Sequence, residues 1–319
     1  MKKILITGSS GFVGSHLLDY LINNKKDSFF GTYYSNAGLN NLDGVKDRIK
    51  LIKVDLRNEK EVYKLISDVK PDTIYHLAAF TSPADSFASP NETIINNISS
   101  QVNILESVRK NNLENTRILV VSSAEVYGNV KKDDLPIDED TPLNPTNPYA
   151  VSKIAQDYLG RQYFLSYNLQ TIRVRPFNHI GPRQSDNFAV ASFAKKIVEI
   201  EKGKREPFLP VGNLDTKRDF TNVLDVVRAY VLLMEKGESG QVYNIGSGVS
   251  YKMSDILSKL LSFSSAKISV KVDKSLFRPV DNPDLVCDYS RLNSVTGWKP
   301  EISLETTLKD TLDYWRNII

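Results

Sequence analysis

In the first half of the chain, short apolar runs alternate with longer segments in which apolar residues recur three or four positions apart. The short runs are typical of strands buried on both faces of a sheet, and the longer segments are typical of amphipathic helices. We therefore predict strands at residues 4–7, 28–34, 49–54, 73–79, 117–122, 171–175 and 242–245. Helices are predicted at residues 11–23, 59–69 and 97–111, with another beginning near Pro148.

A strand followed by a helix and a further strand indicates a parallel sheet with right-handed crossovers. The chain is therefore predicted to be an α/β protein built on a doubly wound parallel sheet. Two stretches break the alternation, residues 178–216 and 250–319, and they predict a smaller α/β domain at the carboxyl edge of the sheet. The expected division is a dinucleotide-binding domain of residues 1–177 plus about 220–248, and a substrate-binding domain of about 178–219 plus 249–319.

Composition excludes several classes of site. The 319 residues carry a formal net charge of +3, which gives no case for a nucleic-acid partner. Cys287 is the only cysteine, so no internal disulfide forms, and His16, His76 and His179 are too far apart in sequence to suggest a metal site. Apolar runs are too short for a signal peptide or a membrane span, so we expect a cytoplasmic protein with no membrane partner.

Three glycines follow the first predicted strand and open the first predicted helix: Gly8, Gly11 and Gly14. Gly8 allows a tight turn, Gly11 lets a pyrophosphate approach the backbone, and Gly14 lets the helix pack closely on the strand. The free N–H groups and partial positive charge of the helix N-terminus favour phosphate there. The pattern predicts a dinucleotide site on a Rossmann-type sheet, against the alternative of an ordinary strand–helix turn.

The end of the second predicted strand bears on the choice between NAD and NADP. NAD-selective sites often place an Asp or Glu there, which accepts a hydrogen bond from the ribose 2′-hydroxyl. Residues 32–36 contain no acid, which favours NADP, but they contain no arginine for a 2′-phosphate, so NAD stays open. Asp55 ends the third predicted strand, where it is also placed to cap the following helix.

Tyr149 and Lys153 stand four residues apart on the helix that begins near Pro148. Side chains at this spacing share one face of a helix, so both reach the same cleft. A tyrosine with an ordinary pKa of about 10 is a poor acid or base at neutral pH, and a neighbouring ammonium lowers that pKa. We expect the pair to transfer a proton to or from a ketone or alcohol oxygen while hydride moves at carbon. The alternative is an incidental tyrosine beside a solvated lysine.

Ser123 and Glu125 follow the fifth predicted strand, at the edge where open α/β sheets bind ligands. Ser123 is expected to hydrogen-bond the reacting oxygen and hold it near Tyr149, although a turn-forming serine gives the same sequence pattern. Glu125 has three interpretations that the sequence leaves open: a catalytic base, a residue that orients the substrate, or an exposed turn residue.

Together these residues resemble the extended short-chain dehydrogenases that modify nucleotide sugars, the NAD-dependent epimerase/dehydratase family. The resemblance covers the whole chain. It is carried by Gly8/Gly11/Gly14, Asp55-Leu56, residues 76–79, Ser123, Tyr149/Lys153 and residues 175–178. Within the family, the second half is most similar to the GDP-6-deoxy-D-mannose reductases, in residues 177–182, 211–214, 218–221, 242–244 and 296–300.

The resemblance implies that NADPH or NADH reduces the C4 ketone of GDP-4-keto-6-deoxy-D-mannose to give GDP-D-rhamnose. It implies that Tyr149 protonates the C4 oxygen, Lys153 holds the nicotinamide ribose and Ser123 polarises the carbonyl. The implied substrate contacts also include Asn178, Arg218 and Arg278. The implied cofactor contacts are Gly8, Ser10, Gly11, Phe12, Val13, Gly14, Thr32, Asp55 (beside the adenine amine), Leu56, Leu77, Ala78, Ala79, Tyr149, Lys153, Pro176 and His179.

The resemblance further implies a homodimer, formed through the helix that carries Tyr149 and the helix before it. Several other functions stay open. GDP-mannose 4,6-dehydratase needs a base for a C5 proton, and Glu125 stands in the matching place, although residues 218–223 favour the reductase. A UDP-sugar 4-epimerase is a third alternative. A redox sensor that only binds NADP is disfavoured because the chain keeps both Tyr149 and Lys153.

Overall fold

A computed structural model describes residues 1–277, 280 and 282–319. The strands are β1 (Lys3–Thr7), β2 (Ser28–Tyr33), β3 (Ile49–Lys53), β4 (Thr73–His76), β5 (Arg117–Val121), β6 (Gln170–Pro176), β7 (Asn178–Ile180), β8 (Phe208–Val211), β9 (Lys217–Asn222), β10 (Val242–Ile245), β11 (Ser250–Lys252), β12 (Ser269–Val272) and β13 (Asp284–Leu285). The helices are α1 (Phe12–Asn24), α2 (Glu59–Val69), α3 (Pro83–Ala88), α4 (Pro90–Lys110), α5 (Pro148–Tyr167), α6 (Ala189–Glu201), α7 (Val223–Lys236), α8 (Met253–Ser262), α9 (Ser290–Thr296) and α10 (Leu304–Ile318).

Seven strands form one parallel sheet in the order β10-β6-β5-β4-β1-β2-β3. The chain runs outward from β1 to β3 and then returns to β4 on the other side of β1. This reversal opens a crevice at the carboxyl ends of β1 and β4, the place where doubly wound sheets bind ligands. The structure confirms the predicted fold class, and the seven strands of this sheet are the seven that the apolar runs predict.

Helices cover both faces of this sheet. On one face, Leu17 and Leu21 of α1 pack with Val226 and Tyr230 of α7 in a fully buried cluster. On the other face, α2, α4 and α5 bury a second cluster made of Val62, Leu65, Ile104, Leu105 and Tyr163. Burying each such side chain contributes about 1.5–3 kcal/mol, so the two clusters fix the helices on the sheet and the cleft between them.

A smaller layer covers the carboxyl edge. Strand β9 pairs in parallel with β7 and β13 and antiparallel with β11, while β8 and β12 form a separate parallel pair. Helices α6, α8 and α10 pack around these strands through a third apolar cluster. Strand β9 straddles the boundary predicted near residue 220, and the predicted domain limits stay a prediction.

Expectations for the starts of two helices differ from the structure. Helix α4 begins at Pro90 rather than near residue 97, because proline lacks an N–H and is well suited to the first turn of a helix. Asp55 does not cap α2. Asn58 does, since its side chain accepts hydrogen bonds from the N–H groups of Lys60 and Glu61.

No helix in the described part of the chain is long and apolar enough to cross a membrane. Besides its apolar packing, the helix that carries Tyr149 is held by buried charges. Asp157 of α5 is fully buried and pairs with both Arg173 and Arg175 of β6. Because a buried charge without a partner is costly, these ion pairs hold α5 in one position against the sheet.

We expect Asp157→Asn to destabilise the protein by about 3–5 kcal/mol, because it leaves two buried guanidinium groups without a compensating charge. Urea unfolding measures this loss. The matched control is Asp68→Asn, which removes an exposed partner of Lys64 and is expected to cost less than about 1 kcal/mol. Equal effects of the two substitutions would contradict the structural role given to Asp157.

Candidate active site

A cleft of about 680 Å³ opens at the carboxyl ends of the strands of the main sheet. It extends from the turn between β1 and α1 to the beginning of α5. All the cofactor contacts that the family resemblance implies line it: Gly8, Ser10, Gly11, Phe12, Val13, Gly14, Thr32, Asp55, Leu56, Leu77, Ala78, Ala79, Tyr149, Lys153, Pro176 and His179. Its volume is in the range of ligand pockets. The glycine turn and the Tyr149–Lys153 pair lie within this one cleft.

The glycine turn has the shape that a pyrophosphate requires. Gly8 has φ of 67°, a left-handed conformation, and a Cβ there would lie 3.0 Å from the backbone of Ala78. A Cβ on Gly14 would lie 2.2 Å from the carbonyl oxygen of Gly8, so only glycine permits this contact between helix and turn. Helix α1 begins without a side-chain cap, which leaves its first N–H groups for an anion. These residues fit a dinucleotide.

A buried hydrogen-bond group joins β1 to β4 beside this turn. The Thr7 hydroxyl oxygen accepts hydrogen bonds from the N–H groups of Leu77 and Ala78, at 3.1 and 3.2 Å. Its proton is therefore directed to Nδ1 of His76, 2.8 Å away. This arrangement needs a neutral imidazole, and burial does lower the pKa of His76 to about 3. The histidine thus fixes the strand ends and carries no charge into the cleft.

Tyr149 and Lys153 point into the same cleft from the first turns of α5, as their spacing predicts. The Lys153 Nζ lies 5.8 Å from the centre of the Tyr149 ring and donates a hydrogen bond of 2.9 Å to the carbonyl oxygen of Val121. The Ser122 hydroxyl donates to the carbonyl oxygen of Lys153. These bonds join α5 to the end of β5, which carries Ser123.

The protonation state of the Tyr149 phenol differs from the sequence-based expectation. Its pKa is raised, chiefly by burial and also by the Glu125 carboxylate, while a hydrogen bond from Ser123 acts in the opposite direction. The predicted lowering by an ammonium is wrong for the protein without ligands. Burial also lowers the pKa of Lys153 to about 7, so that charge is only partly present at neutral pH. The phenol is therefore held in its protonated form.

Ser123 and Glu125 lie beside the phenol, in the short turn after β5. The Ser123 oxygen accepts a hydrogen bond from the Glu125 N–H at 3.2 Å. The Glu125 carboxylate accepts a bond of 3.1 Å from the Asn147 amide, and the Asn147 amide oxygen caps α5 at the Ala150 N–H. Glu125 is therefore a fixed carboxylate of the cleft, and the interpretation as an exposed turn residue is wrong.

The other side of the cleft carries a stacked aromatic pair. The rings of Phe12 and His179 lie 5.9 Å apart and nearly parallel, at 12°. His179 Nδ1 bonds the carbonyl oxygen of Phe177, and burial lowers the pKa of His179, so this ring is neutral too. Asn178 also lines the cleft, next to this pair.

The chain matches the family model of GDP-mannose 4,6 dehydratase over residues 5–311. The GDP-6-deoxy-D-mannose reductase of Pseudomonas aeruginosa is 33% identical over 316 residues, which cover 99% of this chain and 98% of that protein. The chain belongs to the GDP-mannose 4,6 dehydratase family. The family resemblance given by the motifs is thereby confirmed.

Other relatives of this GDP-mannose 4,6 dehydratase family member point to the same class of enzyme. A GDP-mannose 4,6-dehydratase of Yersinia enterocolitica is 30% identical, covering 96% of this chain and 91% of that protein. The structure of RMD from Pseudomonas aeruginosa complexed with NADPH has a TM-score of 0.87 at 31% identity and covers both chains fully. These likenesses confirm the prediction that the chain is a nucleotide-sugar oxidoreductase. They include a reductase and a dehydratase at similar identity, so the family alone does not decide the reaction.

Of the predicted substrate arginines of this family member, Arg218 is described by the structure and is not in the cleft lining. The Arg218 guanidinium donates to the carbonyl oxygens of Lys217 and Asn282, at 2.7 and 2.6 Å. Its neighbour across the β9–β13 pair, Leu285, does line the cleft. Arg278 lies outside the described residues. The roles of both arginines stay predictions.

Sequence reasoning missed several cleft residues. Arg57 follows β3 and reaches the end of β2, and Arg183 enters from the loop after β7, where it pairs with Asp19 of α1. Gln184 and Tyr230 also belong to the cleft lining. No motif marks them, because chain segments far apart in sequence bring them together. For Arg57, a usable signal is its place shortly after Asp55, which the sequence motifs already single out. The described residues contain no group of histidine, cysteine or carboxylate side chains suited to a metal ion.

We expect Tyr149→Phe to lower turnover about 10²- to 10⁴-fold while cofactor binding persists, because only the transferable proton is lost. Oxidation of the reduced nicotinamide measures turnover, and its fluorescence measures binding. Tyr158→Phe is the control, since Tyr158 is exposed on the same helix and does not line the cleft. Unchanged turnover in Tyr149→Phe would exclude the phenol as the proton donor.

A pH effect follows from the buried Lys153. Its pKa is about 7 in the folded protein and 10.5 as an ordinary lysine, so between these values the unfolded chain binds more protons. Stability therefore rises with pH over this window, and the cost of burying Lys153 is greatest below pH 7. We expect the native protein to gain stability relative to Lys153→Met as pH rises from 7 to 10.5. Urea unfolding without cofactor tests this, and a constant difference would contradict it.

Proposed function

We propose that this protein reduces the C4 ketone of GDP-4-keto-6-deoxy-D-mannose to GDP-D-rhamnose, with NADPH or NADH as hydride donor. The observation that carries the proposal is the position of the Tyr149 phenol and of Ser123 in the same cleft as the glycine turn. Reduction of a ketone needs a proton donor at the oxygen, and a phenol with a raised pKa is in the donor form at neutral pH. The relationship to the Pseudomonas aeruginosa reductase supports this choice of substrate.

In the proposed reaction, each residue of the site has a separate role. When bound, the reduced nicotinamide supplies the hydride. The Ser123 hydroxyl hydrogen-bonds the ketone oxygen and orients it towards Tyr149, and the phenol donates its proton there. The phenolate that results is stabilised by a positive charge on Lys153, whose Nζ the Val121 carbonyl holds near the ring. In this scheme the residues from Gly8 to Gly14 bind the pyrophosphate of the cofactor, and Asn178, Arg218 and Arg278 contact the nucleotide diphosphate of the substrate.

A homodimer is part of the proposal. Exposed apolar side chains lie on the two helices that the family resemblance assigns to the interface, Ile95 on α4 and Val151, Tyr158 and Leu165 on α5. Covering them with a second copy would remove apolar surface from water. The cytoplasmic location and the domain limits stay predictions.

Dehydration of GDP-mannose is the second candidate function, because of Glu125. Its carboxylate lies in the cleft and is held by Asn147, so it is placed to accept a carbon-bound proton from a sugar. The similarity to the Yersinia enterocolitica dehydratase supports this alternative. The two functions differ in cofactor use, since a dehydratase returns the hydride to its product and consumes no reduced nicotinamide.

Two substrates separate the candidates. The purified protein is incubated with GDP-4-keto-6-deoxy-D-mannose or with GDP-mannose, each with NADPH or NADH and, in parallel, with NADP⁺ or NAD⁺, which dehydration needs as its first hydride acceptor. We expect the keto sugar alone to be consumed, with one reduced nicotinamide oxidised for each product. Consumption of GDP-mannose alone, without net oxidation, would refute the reductase proposal. Glu125→Gln gives a second criterion, since a reductase keeps its turnover and a dehydratase loses it.

A further inference from the structure

Arg57 lies where the carboxyl ends of β2 and β3 meet. Tyr33 pairs with Lys53 in the sheet, so the two strand ends are neighbours. The Arg57 Nη2 donates a hydrogen bond of 3.0 Å to the Tyr34 hydroxyl, and the guanidinium carbon lies 5.2 Å from the centre of the Tyr34 ring. Both side chains line the cleft. The end of β2 is the part of a dinucleotide fold that meets the adenosine ribose.

One edge of the Arg57 guanidinium is used within the protein. Nε and Nη2 donate to the Asp55 carboxylate at 2.9 and 2.7 Å. This pairing lowers the pKa of Asp55, so the carboxylate stays ionised and its charge is balanced. Nη1 has no hydrogen-bond partner among the residues that the structure describes, and the side chain is 41% exposed. The guanidinium is therefore held in place with two donors left for a ligand.

We propose that Arg57, positioned by Asp55 and Tyr34, binds the 2′-phosphate of NADP and makes this protein select NADP over NAD. The inference deepens the proposed function and rests on its cofactor class. A planar guanidinium with free donors matches phosphate oxygens, and the residues from Thr32 to Ser35 offer no carboxylate to repel the phosphate or to bind a 2′-hydroxyl.

The arrangement also explains why an acid near this site does not oppose the phosphate. Asp55 is the carboxylate that lines this end of the cleft, and its two oxygens both accept hydrogen bonds from Arg57. The pair is neutral as a whole. The part of the pair that makes no hydrogen bond to the described residues is the Nη1 edge of the guanidinium, so an anion bound to that edge meets donors rather than acceptors.

Arg57→Leu tests the proposal by binding alone. NADPH and NADH are titrated against the cofactor-free protein, and their fluorescence gives both dissociation constants. We expect the substitution to weaken NADPH binding roughly 10- to 100-fold, the range for losing hydrogen bonds to a charged group, and to change NADH binding less than about threefold. Adenosine 2′,5′-bisphosphate and 5′-AMP, titrated by calorimetry, are expected to show the same contrast without the nicotinamide.

Arg109→Leu is the matched control. Arg109 pairs with Glu106 and lies over the Tyr167 ring at 5.1 Å, which reproduces the surroundings of Arg57, but it does not line the cleft. We expect its loss to leave both dissociation constants unchanged. Arg57→Lys keeps the charge without the fork and is expected to recover part of the NADPH affinity.

Two results would overturn the inference. One is equal weakening of NADPH and NADH in Arg57→Leu, and the other is native protein that binds NADH as tightly as NADPH. In both cases a dinucleotide still binds, so the proposed reduction survives. If the native protein binds neither dinucleotide, the proposed function fails together with the inference. The two failures are therefore distinguishable.

Discussion

Burial sets the protonation states on which the cleft depends. Tyr149 and Lys153 are both almost completely shielded from water, and burial favours the neutral form of each. The phenol therefore keeps its proton at neutral pH until a reacting oxygen needs it, and a lysine whose pKa is lowered to about 7 changes its charge near physiological pH. Proton loss from the phenol would favour the ammonium beside it. The apolar packing that fixes α5 thus also controls its chemistry.

The main sheet could be predicted from the sequence because strands buried on both faces leave short apolar runs between helical segments. The start of α4 could not, because the buried residues of its first turns, Thr93 and Asn97, are polar and give no apolar period. The glycine turn and the Tyr149–Lys153 pair were predictable because their chemistry depends on fixed local spacing.

The rest of the cleft depends on tertiary contacts. Spacing along α5 places an amine near the Tyr149 phenol but says nothing of how much water reaches either group, so the direction of the pKa change is seen only in the fold. Arg57 reaches the end of β2 from the turn after β3, and a search for an arginine on β2 itself misses it. The role of Glu125 could not be predicted, because the hydrogen bond from the Asn147 amide that fixes its carboxylate forms only in the folded protein.

The position of Asn147 has a consequence for how such a cleft changes in evolution. One amide begins the helix of the proton donor and also holds the carboxylate of Glu125. The distance between the Tyr149 phenol and the Glu125 carboxylate is therefore set by the residues from Asn147 to Tyr149 and by the short turn after β5. It does not depend on how distant parts of the chain pack. A lineage that replaces residue 125 can lose or gain a base while the helix, the phenol and the nucleotide-binding turn stay where they are.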